Sequence, residues 1–173
     1  MKNFKIFIQA RIGSSRLPGK ALINFFGEKI IDRVIRIAKR VNTNKNIYLL
    51  TGNIKSNFSL KEIAKKHKIN FFSGHEDNVL RRFCDLILKK KMNNTNILRM
   101  TADNYLIQPD ILQKLIKKHF EDSYEYSYIK GLSHFSGEVV SAKALLLNYK
   151  NKPSKKSKLH VTYDARNRLK IKK

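Results

Sequence analysis

Short apolar runs and amphipathic stripes alternate along most of the chain. FKIFI (4–8) is apolar except at Lys5, the pattern of a buried first strand. Within 28–41, Ile30, Ile31, Val34, Ile35, Ala38 and Val41 recur at helical spacing. NIYLLT (46–51) predicts a second strand. Ser59 and Glu62 stand in the Ser-x-x-Glu capping pattern, which predicts a helix from Ser59 to about His67. INFFS (69–73) reads as a third strand, and Asp77 can cap a helix bearing Val79, Leu80, Phe83, Leu86 and Ile87. NILRMT (96–101) is a fourth strand. Pro109 suits a first helical turn, and Ile111, Leu112, Leu115, Ile116 and His119 continue one face. Short strands at 124–130 and 138–141 and a short helix at 142–149 complete the pattern.

Strand and helix repeated in this way predict an α/β fold, a mostly parallel sheet with helices on both faces. Such sheets bind ligands beyond the carboxyl ends of their strands. The two most polar loops, 9–20 and 101–104, both follow strands and so share that edge. No internal repeat or second domain is visible. The reading is one domain over 1–149 followed by a basic stretch, 150–173.

Composition changes the picture only at the end of the chain. The 173 residues suffice for one core, and 42% hydrophobic residues is an ordinary globular level. A single cysteine forms no internal disulfide. No apolar run approaches the ~20 residues of a membrane span, and MKNFKIFIQAR is too soon polar for a signal peptide. A soluble cytoplasmic protein is the expectation. The formal charge is +24, from 37 basic and 13 acidic residues. Much of this is lysine on ordinary helix faces, such as Lys61, Lys65, Lys66 and Lys68. Residues 150–173 differ, with ten basic residues against Asp164 alone: a polyanion-binding tail or a solvated end. A nucleic-acid partner is disfavoured, because no RRM, KH or zinc pattern is present and the aromatics fall at core positions.

The chemistry concentrates in ARIGSSRLPGK (10–20). Gly13 lets backbone approach a ligand, and neighbouring amides can form an anion-binding concavity. Arg11 and Arg16 offer bidentate contacts to phosphate oxygens; Lys20, turned back by Pro18-Gly19, offers a point charge. Such a cage neutralises a triphosphate as pyrophosphate leaves. A basic surface turn is the alternative. Neither GxxxxGK[ST] nor GxGxxG is present.

QARIGSSRLPGK (9–20) resembles the QARxGSxRLPxK signature of the acylneuraminate and CMP-sugar cytidylyltransferases, nearest to the spore-coat polysaccharide biosynthesis protein F type. SGHEDNVLRRF (73–83), LRMTADNYLIQPD (98–110), GEVVSAKAL (137–145) and LHVT (159–162) resemble further family segments in the same order. The resemblance implies a nucleotide-diphospho-sugar transferase fold of the glycosyltransferase-A-like, three-layer kind. It implies transfer of CMP from CTP to a sugar, of the acidic nonulosonic type, with pyrophosphate released and Mg²⁺ as cofactor. Arg11, Arg16 and Lys20 would be the catalytic cations, and Ala10, Gly13 and Ser14 would join them in holding the nucleotide. Asp77 and Arg82 would shape the nucleotide or sugar site, although Asp77 serves equally as a helix cap. Asp103 would ligate Mg²⁺; a carboxylate beside a triphosphate cage is what a hard cation needs. Glu138 and His160 would line the sugar side, Glu138 being equally readable as a plain strand residue.

Three departures accompany the resemblance. Ser136 stands where the family often has aspartate, and Tyr105 replaces the proline after TADN. The family's V-D-T-P-E-D segment beyond H-V-T has no counterpart, and Asp164 matches it poorly. A non-catalytic nucleotide-binding relative is therefore a second expectation, and a homodimer completing the site is compatible with either. Cys84, on an apolar helix face, reads as a buried inert thiol. The histidines show no metal-ligand spacing, and His119 reads as a helix-end residue.

Overall fold

The computed structural model describes residues 3–13, 17–168 and 171–172. In chain order the elements are β1 (Phe4–Gln9), β2 (Asn24–Phe25), β3 (Glu28–Lys29), α1 (Ile30–Val41), β4 (Ile47–Thr51), α2 (Phe58–Lys66), β5 (Asn70–Ser73) and α3 (Val79–Lys89). They continue as β6 (Asn96–Thr101), α4 (Pro109–Glu121), β7 (Tyr126–Ser127), β8 (Glu138–Ser141), α5 (Ala142–Lys150), α6 (Lys155–His160), α7 (Ala165–Arg168) and β9 (Ile171–Lys172). Seven strands form one sheet in the order β5-β4-β1-β6-β8-β7-β9; β2 and β3 form a separate antiparallel hairpin.

The sheet divides two cores because alternate residues of each strand face opposite ways. Ile6 and Ile8 of β1, Ile47 and Leu49 of β4, and Leu98 and Met100 of β6 meet α1, α2 and α4. Phe7, Tyr48, Leu50 and Ile97 meet α3 and α5 on the other face. Every one of these side chains is buried, each worth roughly 1.5–3 kcal/mol. The three-layer α/β reading therefore holds. The strands β5, β4, β1 and β6 are parallel, while β8 runs antiparallel to β6.

The chain winds from β1 to β4 and β5 on one side, then returns to place β6 on the other side of β1. That reversal is a topological switch point, where outgoing loops diverge and leave a crevice. The register sets Gln9 beside Thr101, so loops 10–20 and 102–108 leave the sheet side by side.

Local boundaries correct several expectations. Ser59 and Glu62 do not cap α2; a short 3₁₀ turn at Lys55–Asn57 starts the helical path earlier and moves the cap position to Asn57. Asn78, not Asp77, caps α3, accepting a hydrogen bond from the Arg81 amide at 2.9 Å. His119 lies in the last turn of α4, as its position suggests. It is buried, with Nδ1 2.9 Å from Ser127 Oγ and Nε2 3.2 Å from Asn96 Oδ1. Residues 150–166, set apart in sequence as a basic tail, are packed into the fold. Ser157, Val161, Thr162, Asp164 and Ala165 are buried, and Asn148 of α5 donates to Ser157 of α6 at 2.9 Å. No helix among the described residues is long and apolar enough to cross a membrane.

Candidate functional site

The loop after β1 is closed by the backbone and tethered by one side chain. The Gly19 amide donates to the Ile12 carbonyl at 2.8 Å, and the Leu22 amide donates to Gly19 at 2.7 Å. Gly19 has φ 70°, a left-handed conformation that glycine adopts without Cβ strain. This turn brings Lys20 back toward the sheet edge. Asn57 occupies the cap position of α2 but its side chain does not cap. Its Oδ1 accepts from the Ile12 amide at 2.8 Å, and its Nδ2 donates to the Asn53 carbonyl at 2.7 Å.

Lys20 Nζ and Asp103 Oδ2 form a close ion pair at the carboxyl ends of β1 and β6. Burial raises the Asp103 carboxyl, but the hydrogen bond and charge of Lys20 outweigh it and hold the group below its ordinary value. The metal candidate and one phosphate candidate thus neutralise each other. Arg11 and Ala10 stand on the same wall. Gly13 is exposed, and a Cβ there would meet nothing within 4 Å, so no protein neighbour requires glycine at that position. Ser14 and Arg16 lie outside the described residues.

Arg82 reaches the site from α3 and is buried. Its Nε and Nη2 donate to the His75 carbonyl at 3.1 and 2.8 Å, and Nη2 also donates to the Glu76 carbonyl at 2.7 Å. Burial lowers its pKa to about 10, against the attraction of Glu76. The guanidinium therefore braces the loop between β5 and α3 while bordering the cleft. Asp77 is exposed and forms no part of the cleft wall.

Beside this wall lies an ionic network centred on the buried Glu138 and open to solvent at Arg166. Arg99 and Glu138 are paired across β6 and β8, which places Arg99 Nη1 2.8 Å from Glu138 Oε2. Arg99 Nε donates to Gln9 Oε1 at 2.9 Å, which extends the network to β1. Thr162 Oγ1 donates to Glu138 Oε2 at 2.6 Å, and Arg166 pairs with Oε1. Arg166 also donates to the Tyr126 hydroxyl at 2.8 Å and lies 5.0 Å from the Tyr128 ring centre. Burial would raise the Glu138 carboxyl, yet Arg99 and Arg166 hold it below its ordinary value. Glu138 borders the cleft with both oxygens already engaged by protein donors.

The backbone after α6 supports this network through a strained turn. Val161 has φ 56° and ψ −58°, and the Thr162 amide lies 2.5 Å from the His160 carbonyl. That is a positive-φ γ-turn, costly for a β-branched residue and held here by the full burial of Val161. It directs Thr162 to Glu138 and leaves His160 exposed at the cleft rim. Asp164, the poor match to a second metal ligand, binds Ser154 through its amide at 2.9 Å and its hydroxyl at 2.8 Å. Ser136 is buried and donates to the Leu132 carbonyl at 3.0 Å.

Together these elements enclose a cleft of about 710 Å³ at the switch point. Arg11, Lys20, Arg82, Arg99 and Arg166 face it against two carboxylates, Asp103 and Glu138, so its field selects an anion. Among the described residues no group of three or more His, Cys, Asp or Glu could hold a metal. Asp103 offers one hard carboxylate donor, which fits Mg²⁺ when phosphates and water supply the remaining ligands. Sequence reasoning missed Gln9, Arg99, Thr162, Arg166 and Asn57. The polar Gln9 and Arg99 interrupting apolar strands FKIFIQ and NILRMT were the available signal; Asn57 gave none.

A sheet of this order, with a basic loop and an acidic loop at its switch point, is the architecture of the nucleotide-diphospho-sugar transferases. The chain belongs to the cytidylyltransferase family, whose model matches residues 6–172. It is 32% identical over 151 residues to the spore coat polysaccharide biosynthesis protein SpsF of Bacillus subtilis, covering 84% of this chain and 62% of that protein's length. Its fold is similar to a cytidylyltransferase from Leptospira borgpetersenii, with TM-score 0.87, 22% identity and coverage of 99% of this chain and 75% of that one. It is also similar to CMP:2-keto-3-deoxy-manno-octonic acid synthetase complexed with CTP, with TM-score 0.72, 15% identity and coverage of 99% and 88%.

Proposed function

We propose that the chain is a nucleotidyltransferase that activates an acidic sugar with CTP, giving a CMP-sugar and pyrophosphate for surface polysaccharide synthesis. The observation that carries this reading is the meeting of Lys20 and Asp103 at the switch point, within a cationic cleft. The family and the likeness to a CTP-complexed synthetase support the choice of nucleotide.

In this reading the triphosphate lies on loop 10–20, whose motif supplies the cations Arg11, Arg16 and Lys20. A sugar hydroxyl oxygen bonds to the α-phosphorus, the bond from that phosphorus to the bridging oxygen breaks, and pyrophosphate leaves. The hydroxyl proton passes to solvent. Lys20 exchanges Asp103 for phosphate oxygens and neutralises charge as it develops on the leaving group. Asp103, released, would hold Mg²⁺, which when bound supplies Lewis-acid stabilisation of phosphate oxygens. Arg99 and Arg166, fixed by Glu138, give the sugar end of the cleft a positive wall, and His160 lies at its rim.

Pyrophosphate release with CTP, divalent metal and a panel of acidic sugars tests the reading. Release with CTP above other nucleotides is the expected result; no release with any sugar overturns it. A second reading, nucleotide binding without turnover, is favoured by Asp103 being, among the described residues, the one carboxylate facing the cleft that protein donors would leave uncommitted once Lys20 moves. Calorimetric CTP binding beside a silent pyrophosphate assay would select it.

A further inference from the structure

We propose that the outer face formed by α3, α5 and α6 docks on an anionic lipid bilayer, a role separate from the chemistry of the cleft. On α5, Lys143, Leu147 and Lys150 follow at i, i+4 and i+7 and form one exposed stripe. The stripe begins at the end of the sheet where α3 finishes, because the Ala142 amide donates to the Thr95 carbonyl at 2.9 Å. Leu88, Lys90 and Lys91 are exposed there. The stripe ends against α6 through the Asn148–Ser157 bond, and α6 presents Lys155, Lys156, Lys158 and Leu159 to solvent. Leu88, Leu147 and Leu159 are 55%, 52% and 46% exposed, so apolar side chains are set among the lysines rather than beneath them.

Acids are sparse on this face. Residues 86–102 and 139–163 contain no Asp or Glu, and Asp85 of α3 is paired with Arg81, whereas α1, α2 and α4 on the opposite side intersperse Asp32, Glu62, Asp110 and Glu121 among their lysines and arginines. Lysines around exposed leucines match the two demands of an acidic bilayer: attraction to headgroups and shallow burial of apolar side chains. Nucleic acid would instead call for aromatic platforms on which bases stack. Tyr163, exposed at the margin of this face, carries Lys156 Nζ over its ring at 5.3 Å. Leu159 and His160 also border the cleft, so docking sets the cleft rim beside the membrane.

The test is co-sedimentation of the chain with vesicles of phosphatidylglycerol in phosphatidylcholine, against phosphatidylcholine alone. The anionic vesicles should retain at least about tenfold more protein, and added salt should release it. Leu147→Ser and Lys143→Gln/Lys150→Gln should each weaken retention several-fold while circular dichroism and melting stay those of the parent. Absence of binding, equal binding to both vesicles, or full retention by Leu147→Ser overturns the proposal. So does tight binding of an oligonucleotide that displaces vesicles from the parent and from Leu147→Ser alike, which would assign the face to nucleic acid. A dimer that Leu147→Ser converts to monomer, without vesicle binding by either form, would assign it to self-association.

Discussion

Lys20 and Asp103 hold each other in a close ion pair at the sheet edge. In the proposed reaction phosphate and metal would compete for them. Lys20→Met should lower kcat/KM for CTP about 10²–10³-fold, the usual loss for one donor aimed at developing charge. Asp103→Asn should abolish the dependence of pyrophosphate release on divalent metal at unchanged CTP-site occupancy, measured by metal titration beside calorimetry. Glu138 belongs to a different category. Its oxygens are taken by Arg99, Arg166 and Thr162, and Arg99 is itself largely buried. Removing one partner of a buried pair leaves the other uncompensated, so Glu138→Ala should cost about 3–5 kcal/mol in urea unfolding. Glu138→Ala/Arg99→Met should recover part of that loss.

The element scale explains what sequence periodicity could and could not reveal. Strands β1, β4, β5 and β6 and helices α1, α3 and α4 were legible because each must bury apolar residues at its own period. The polar loops at 9–20 and 101–104 were legible because topology alone assigns them to one edge. Cross-strand register was not legible: nothing in FKIFIQ, NILRMT or GEVVS states that Gln9, Arg99 and Glu138 will meet. The family resemblance found Glu138, and register adds what holds it, Arg99 across β6. The H-V-T stretch was found as a motif, yet its strained turn at Val161 is visible only in backbone angles. Gly137 offers a direct test of that register. A Cβ there would lie 2.5 Å from the Arg99 carbonyl oxygen, a backbone atom that cannot step aside. Gly137→Ala should force β8 away from β6, lower stability by about 1–3 kcal/mol, and weaken substrate binding at the sugar end more than CTP binding.

At the scale of the whole molecule, acid should unfold this protein by two separable routes. One is general: a chain of formal charge +24 gains further positive charge as pH falls, and self-repulsion grows. Added salt screens that term. The other is His119, whose burial lowers its pKa from 6.5 to about 4. Asn96 Oδ1 can only accept, so Nε2 carries the proton and Nδ1 accepts from the Ser127 hydroxyl; the ring is neutral with both nitrogens satisfied. The unfolded chain takes up a proton near pH 6.5 and the folded chain only near pH 4. Stability should therefore decline between those values by about 1.4 kcal/mol per pH unit, or about 3 kcal/mol in all, and this histidine's contribution should level off below. The lowered carboxyls of Asp103 and Glu138 act in the same direction but at lower pH, where they begin to protonate. Urea unfolding in high salt isolates the histidine, because its penalty arises from desolvation rather than from long-range charge. His119→Gln should flatten the slope between pH 6.5 and 4 in high salt and leave the low-salt repulsion in place. An unchanged slope in that variant would assign the whole acid sensitivity to net charge.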